Sequence, residues 1–545
     1  MKNGWTILAA ACAVVLGVYA ITVHSGMMES LTTDAADAYY NLLVRGFRAG
    51  QLNLKRDAPP GLAQLADPYD PVANTPYRST PYGVHDLSYY KGRLYLYFGV
   101  TPAVILFWPY AALTGHYLFH RQGVLIFCAI GFLASVGLLR GLWRRYFFEV
   151  NIVVVAMCVL ALGLATSVPL FLSGADFYQV PISCGYMLTM LALGAIWCAM
   201  HEPERRGRWL AAASVAYGLA VGARPSLLFG AVILLVPVAE TWRGRRRFWL
   251  ALLAAVGPIV LIGLGLMLYN YQRFDNPFEF GQRYQLAGEQ QLTQRFFSLQ
   301  YFWFNFRLYF LEPVRWGGRF PFVQGITVPP VPAGHGTVEG PFGVLTNIPL
   351  VWLALAVPLV WRGRSVETGI LRRFITVVAL FFGICALSLC LFRGANARYE
   401  LEFLPALVWL AVAGILGVES ALAPTSKSGQ ADRPAWRLMA RCGWGVLLVF
   451  SVAFNLLSAV QHHAEMDNNL GIVMGRAGRM QEAVEHFEDA VRIEPGYAEA
   501  HYNLGLALEH AGRLQDAAGH YEQALRLEPN LIEAQVALAR LHAGR

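Results

Sequence analysis

The stretch YFGVTPAVILFWPYAALTG, residues 97–115, decides how the rest of the chain is arranged. A bilayer core takes about 20 apolar residues of helix, and this stretch is long enough to cross. It nevertheless holds Pro102 and Pro109 and runs into a polar stretch from Gly115-His116 to Arg121-Gln122. We read it as a juxtamembrane or re-entrant helix that does not cross. Eleven further apolar segments then remain as spans, at 5–23, 123–142, 150–172, 184–200, 209–223, 226–240, 248–269, 344–361, 374–392, 401–418 and 443–460. Each crossing reverses the side of everything downstream, so the charge of the loops tests the reading. The loops 140–149, 200–209, 239–247, 362–373 and 419–443 carry 3, 3, 4, 4 and 4 Lys or Arg, whereas 171–183, 222–226 and 393–400 carry 0, 1 and 2. Positive loops stay inside, and they do so here if Lys2 is inside and only one segment between 24 and 140 crosses. The external parts are then 24–122, 171–183, 270–343 and the carboxyl terminus. The rival arrangement has twelve spans with the amino terminus outside, which moves only loop 24–96.

Of 545 residues, 56% are apolar and 14% charged, a composition that excludes a soluble enzyme and marks a multi-pass membrane protein. The net charge of +8 is accounted for by the short basic loops, so it implies no nucleic-acid partner. All eight cysteines lie in or beside apolar segments, which indicates neither a disulfide framework nor a metal-binding pair. The first apolar run suits an uncleaved signal anchor, while Val18-Tyr19-Ala20 leaves cleavage open. The short loops and their arginine content point to a bacterial inner membrane, with loop 24–122 and the carboxyl-terminal region on the periplasmic side.

From about residue 464 the chain becomes charged and helix-forming, with a period of 34. Asn469-Leu470-Gly471 recurs as Asn503-Leu504-Gly505, Gly478 as Gly512, Ala483 as Ala517, Phe487 as Tyr521, Ala490 as Ala524 and Pro495 as Pro529. This resembles the tetratricopeptide repeat, a helix–turn–helix unit in which small residues allow close packing. Two full repeats and a partial third are marginal as a free-standing solenoid. The array should therefore pack on the membrane region or on a protein partner, or serve as a structural cap. The chain divides at 460/464: a helical membrane domain over 1–460 and the repeats over 464–545.

The first external loop opens with LTTDAADAYYNLLVRGFRAGQLNL, residues 31–54. It reads as a helix from Asp34 to Gly50, lying on the membrane surface with Ala36, Tyr40, Leu43 and Phe47 as its apolar stripe. Asp34 and Asp37 share a face; Asp34 also suits an N-cap and Asp37 a first-turn acid. In LSGADFYQVPIS, Asp176 is the one charged residue between two apolar spans, a position where a carboxylate is functional more often than chance. The segment 296–313 has nine aromatics in eighteen residues and suits an interfacial helix, either lining a lipid groove or simply anchoring. TVPPVPAGHGTVEGPFG, 327–343, reads as a mobile loop over substrate; its notable group, His335, reads first as a solvated loop histidine.

With these residues in place, the chain over about 1–460 resembles the GT-C superfamily of membrane glycosyltransferases, which take a sugar from a lipid-phosphate carrier at the external face. DAYYN at 37–41 is similar to the D-x-[WY]-[FY]-[NH] pattern of the oligosaccharyltransferase catalytic subunit, and SGADFY places Asp176 where that family keeps its second-loop acid. YLYFGVTPAVILFWPY at 95–110, YNYQRFDNPFEFGQRY at 269–284 and ARYELEFLPALVWL at 397–410 are further similarities. The chain has neither the Asp-Glu pair of protein mannosyltransferases nor a WWDYG-type motif, which points to an O-linked or lipid-linked acceptor. The order of membrane domain and repeats is similar to that of the tetratricopeptide-containing O-mannosyltransferases.

The resemblance implies an all-α, polytopic fold with about eleven spans plus juxtamembrane helices, followed by a repeat solenoid. It implies inverting transfer from a polyprenyl-phosphate sugar to a protein or glycan acceptor, with Asp37 as general base and Asp34 and Asp176 beside it. A base within hydrogen-bond reach of the acceptor hydroxyl contributes about 10²–10⁴-fold. The departing phosphate needs fixed positive charge, which Arg398, with Tyr399, Arg393 and Arg224, would supply; Arg398 also reads as an interfacial anchor. Tyr39, Tyr40 and His335 belong to the substrate loops. Asp37 and Asp176 are the pair that would hold a divalent cation, Mg or Mn, although no ligand spacing specifies one. The alternative is a non-catalytic envelope assembly protein that recruits partners through its repeats.

Overall fold

Contacts between distant loops sort the helix ends into two groups in the computed structural model, which describes residues 2–78, 83–242, 244–291, 294–361, 366–423 and 433–543. At one end Arg145 pairs with Glu367 (3.3 Å), Arg206 and Arg373 share Glu240 (2.8 and 2.7 Å), and Arg437 and Arg441 share Glu419 (3.2 and 2.7 Å). The guanidiniums of Arg140 and Arg144 lie over the Trp5 ring at the same end. At the other end the Gly26 N–H donates to the Ala175 carbonyl (2.6 Å), Arg224 pairs with Glu402 (2.5 Å), and His462 meets the Ser173 hydroxyl (2.9 Å). Of the basic residues counted in the loops, Arg243, Arg362, Arg364 and Lys427 lie outside the described residues, as do Gly544 and Arg545 of the repeats.

Following the described residues between these two sets of ends gives eleven traverses. They are Lys2–Thr22, His120–Tyr146, Ile152–Leu164, Gln179–His201, Arg206–Ala223, Pro225–Ala239, Arg245–Phe274, Pro349–Trp361, Val366–Leu391, Leu404–Ala421 and Arg433–Arg476. Among the described residues, seven helices are long and apolar enough to cross a membrane by length and composition. The segment at 97–115 does not traverse: Gly99 lies against the Gly222 carbonyl, and Phe107 stacks on Tyr40 (5.4 Å) and packs against Gly123 at the start of the next helix. Two short traverses, Pro225–Leu234 and Pro349–Trp361, are wound as 3₁₀ helix rather than the expected α-helix. A 3₁₀ helix rises about 2.0 Å per residue against about 1.5 Å for an α-helix, so few residues cover more of the bilayer.

Gln179–His201 and Leu404–Ala421 are the central helices, with 83% of the apolar window buried in each; Arg245–Phe274, at 11%, is peripheral and presents its side chains outward. Between apolar helices in lipid, close packing supplies the association. Gly131 accordingly faces the Tyr186 ring, and Gly414 faces the Leu353 carbonyl so closely that an added β-carbon would lie 1.9 Å from it. The loops at the end away from Trp5 carry the small ribbons. Ser88–Tyr90 pairs antiparallel with Arg93–Tyr95, Val314–Trp316 with Val323–Ile326, and Val338–Glu339 runs parallel to Ala395–Asn396.

The stretch 31–54 is not one helix. A 3₁₀ turn at Ala35–Asp37 is followed by extended Ala38 and then by an α-helix over Tyr39–Arg48, which ends before Gly50 (φ +74°). The Asn41 side chain donates to the Ala35 and Leu118 carbonyls (2.7 Å each) and pins the break.

The tetratricopeptide repeats form helices Met480–Ile493, Ala498–His510, Leu514–Leu527 and Ile532–Ala543. The repeated glycines have a packing reason, because Gly471 and Gly505 lie against the rings of Phe487 and Tyr521. Gly478 and Gly512, at φ +75° and +77°, take the left-handed turn between helices. The repeats have their own core, onto which Leu31 of the first loop packs, and Gly496 lies against Arg319. The array therefore docks on the membrane region. The boundary expected at 460/464 falls inside one unbroken helix, Arg433–Arg476, which is both the last traverse and the first repeat helix.

Candidate active site

At the end of the bundle away from Trp5, Arg140 and Arg144 lies a cavity of about 790 Å³. Its walls come from 26–28, 85–86, 174–179, 282–291, 323–326, 336–342 and 393–399, together with one face of the long last helix. The wall at 174–179 is built on backbone. Ala175 bridges Ser25, its N–H donates to the His24 carbonyl (2.9 Å), and Gly26 returns the bond. Gly26 is required there: an added β-carbon would lie 2.7 Å from Asp176 Cβ. The Asp176 carboxylate accepts the N–H groups of Met28 (2.7 Å) and Phe177 (2.8 Å) and is 4% exposed. Burial pushes its pKa up to about 7, with the backbone donors pulling the other way and the Glu29 charge adding a little. Asp176 is thus an acid poised between its two protonation states near neutrality.

The opposite side carries positive charge. The Asn396 side chain accepts the Arg398 N–H (3.0 Å), which turns the chain at the end of the parallel ribbon. Arg398 pairs with Glu339 (3.2 Å), and its guanidinium lies 4.6 Å from the centre of the Tyr178 ring. Arg393 pairs with Glu289 (2.5 Å) and donates to the Gly334 carbonyl (3.1 Å). Both glutamates are about half exposed at their side chains, so a phosphate can take their places. The Tyr178 hydroxyl donates to Asp86, which sits beside His85 (3.6 Å). Asp86 has φ +57°, a backbone conformation that a non-glycine residue adopts at some cost and that often marks a functional position.

The residues expected from the sequence divide into two sets. Asp176, Arg393, Arg398 and Tyr399 line the cavity. Asp37 does not: its side chain is 65% exposed and pairs with Arg45 (2.8 Å). The expectation that Asp37 and Asp176 meet in one cavity is therefore corrected. The break at Ala38 turns Asp37 out to the surface, while Tyr39 packs inward on Phe177 (4.8 Å). Asp34 is an N-cap, accepting the Ala36 N–H (2.8 Å). Arg224 lies outside the cavity wall, paired with Glu402 and under the Tyr399 ring (5.1 Å). Tyr39 and Tyr40 are buried; the Tyr39 hydroxyl donates to the Gly83 and His85 carbonyls (3.1 Å each), and the Tyr40 hydroxyl to Gly99 (3.4 Å).

His335 is not a solvated loop residue. It is held between Tyr301 and Phe304, with its Nε2 3.0 Å from the Asn305 side-chain oxygen, and burial lowers its pKa. Among the described residues, no three His, Cys, Asp or Glu side chains converge as a metal site would require. With Asp37 on the surface, it and Asp176 do not form one either. Sequence reasoning missed Asp86, Tyr178, Glu289, Glu339 and His462. Two signals were available: the turn before SYYKGRLY, which carries Asp86, and the tyrosine two residues after Asp176.

Residues 468–532 match the tetratricopeptide repeat family. No curated protein sequence matches the chain. Among solved structures the chain is similar to ArnT from Cupriavidus metallidurans bound to undecaprenyl phosphate, with 13% identity, TM-score 0.43 and coverage of 92% of this chain and 81% of that one. It is also similar to the apo state of the same protein, at 14% identity, TM-score 0.45 and coverage of 91% and 80%.

Proposed function

We propose that the protein is a membrane glycosyltransferase that moves a sugar from a polyprenyl-phosphate donor to a hydroxyl on an O-linked or lipid-linked acceptor at the external membrane face. The reading is supported first by the sequence resemblance to GT-C enzymes. The observation that carries it is the presence of Asp176 and Arg398 on one cavity, with Arg398 lying against the ring of Tyr178, two residues after Asp176. In this mechanism Asp176, as carboxylate, takes the proton of the acceptor hydroxyl as that oxygen attacks the anomeric carbon. The bond from that carbon to the phosphate oxygen breaks on the opposite face, so configuration inverts. Arg398 and Arg393 exchange Glu339 and Glu289 for the departing phosphate and hold its charge. The base is Asp176 rather than Asp37 because Asp176 alone of the two lines the cavity and is half ionised near neutrality.

The test is transfer from a polyprenyl-phosphate sugar in membranes containing Asp176→Asn protein. We expect transfer to fall by at least about 10²-fold with folding retained; full transfer would remove Asp176 from the mechanism. The repeat array favours a second reading, a non-catalytic assembly protein recruiting envelope partners, in which deletion of the repeats abolishes function and Asp176→Asn is harmless.

A further inference from the structure

The long helix Arg433–Arg476 gives the cavity a polar wall of its own, on which Ser458, Gln461, His462 and Glu465 share a face. The Gln461 amide is used within that wall, on Glu465 (2.7 Å). The ring of His462 is fixed at one edge only. The Ser173 hydroxyl lies 2.7 Å from the Leu170 carbonyl and 2.9 Å from His462 Nδ1. A carbonyl only accepts, so the single hydroxyl hydrogen goes to Leu170 and the Ser173 oxygen is left to accept from His462. Nδ1 therefore carries the proton, and in the neutral ring Nε2 presents a lone pair.

Among the described residues Nε2 has no hydrogen-bond partner, and it is accessible on a residue that lines the cavity. One turn earlier on the same wall, Ser458 is 5% exposed and its Oγ also has no partner among the described residues. Buried hydroxyls are normally paired, so an unpaired one on a cavity wall calls for a polar group brought by a ligand. The place of His462 indicates which part of the ligand that is. An added β-carbon on Gly174, two residues before Asp176, would lie 2.7 Å from His462 Cε1. His462 is also within electrostatic reach of Arg398. In the transfer proposed above, the acceptor oxygen attacks beside Asp176 and the phosphate departs beside Arg398, so the sugar occupies the space between them. His462 borders that space.

We propose that His462 Nε2 accepts a hydrogen bond from a hydroxyl of the transferred sugar, and that His462 thereby selects a donor in which this hydroxyl is present and free. This rests on the glycosyltransferase reading and adds to it a specificity-determining residue on the helix that also begins the repeats. A site built to bond a hydroxyl rejects the analogue that lacks it, because the protein group is then left unpaired. The reacting proton is a different one: it belongs to the acceptor hydroxyl and goes to Asp176.

The test measures kcat/KM of the full-length protein in membranes for polyprenyl-phosphate glucose, galactose and mannose, and for the monodeoxy analogues of each. With the wild type, removal of one particular hydroxyl should cost at least about tenfold. Asparagine at 462 keeps an amide near the place of Nδ1, and with it the bond to Ser173, but it ends short of Nε2. In His462→Asn the penalty for that same hydroxyl should therefore shrink to roughly twofold or less. Each penalty is a ratio within one protein, so a loss of folded protein cancels, and a merely structural role for His462 would lower both donors alike. A wild type that transfers sugar without any deoxy penalty, or whose every penalty survives in His462→Asn, overturns the proposal and leaves the transfer reading in place. A wild type that transfers from none of these donors counts against the transfer reading itself, and the proposal falls with it.

Discussion

A carboxyl group that takes a proton during turnover at neutral pH works best when its own pKa lies close to that pH, and burial places Asp176 there, at about 7. Only the ionised form is a base. Transfer rate should therefore rise about tenfold per pH unit well below 7 and level off above it, as read by initial rates across a pH series. A rate independent of pH from 5 to 8 would remove the group from the rate-limiting step. The same shift has a consequence for stability. The folded-state value lies above the unfolded value of about 3.9, so the native state binds the proton more tightly, and the stability contributed by Asp176 is present below about pH 4 and lost as pH rises through 7. Asp176→Asn carries no such proton, and its unfolding temperature relative to wild type should climb between pH 4 and pH 7. Asp37→Asn should leave transfer unchanged, and loss of its exposed pair with Arg45 should cost about 1 kcal/mol or less. These two acids also show what the sequence can convey about a site. Asp176 stands out because no other charge lies between its spans. Asp37 shares a motif, but its direction depends on one extended residue, Ala38, that no pattern announces. For Asp86 the sequence offers only the turn before SYYKGRLY; that it lines the cavity depends on its positive φ.

At the scale of elements, the apolar segments were legible because a bilayer demands them, and the repeats because a period of 34 repeats its glycine–aromatic contacts. The 3₁₀ windings at Pro225–Leu234 and Pro349–Trp361 were not, since an apolar run of this length is compatible with either winding. Nor was the break inside 31–54, which is made by Asn41 bonding to a carbonyl 77 positions away. The loop 173–176 is the element on which the site depends, clamped between 24–28 on one side and the His462 ring on the other. Glycine is needed on both sides. A β-carbon on Gly174 would lie 2.7 Å from the His462 ring carbon Cε1, and one on Gly26 would lie 2.9 Å from the Gly174 carbonyl oxygen as well as against Asp176. The imidazole can tilt and the backbone cannot. Gly26→Ala should therefore cost more transfer activity than Gly174→Ala, by roughly tenfold or more if the loop shifts by an ångström, with both proteins still inserted in the membrane. Equal and small losses would show that the clamp does not set the position of Asp176.

For the whole molecule, the cavity is assembled from loops separated by hundreds of residues, so its composition could not be read from any one segment, although the side on which the loops gather could. Among the described residues, eleven traverses put the amino terminus at the end where Trp5 meets Arg140 and Arg144, and the repeats at the end with the cavity. From the rule that short basic loops remain in the cytoplasm, we propose that loops 140–149 and 200–209 face inward and that the cavity, Asp176 and the repeats face outward. This arrangement has a physical logic for the proposed reaction, since a carrier lipid presents its phosphate at the interface and a protein acceptor arrives from the aqueous side, where the repeats stand. It also fixes the outcome of a topology measurement. Fused after Arg545, alkaline phosphatase, which needs an oxidising compartment, should be active, and a green fluorescent protein exported in the same position should be dark. The reverse pattern would place the repeats in the cytoplasm. The bundle would then be inverted, and the cavity would face a compartment in which lipid-linked donors must be supplied from the inner leaflet.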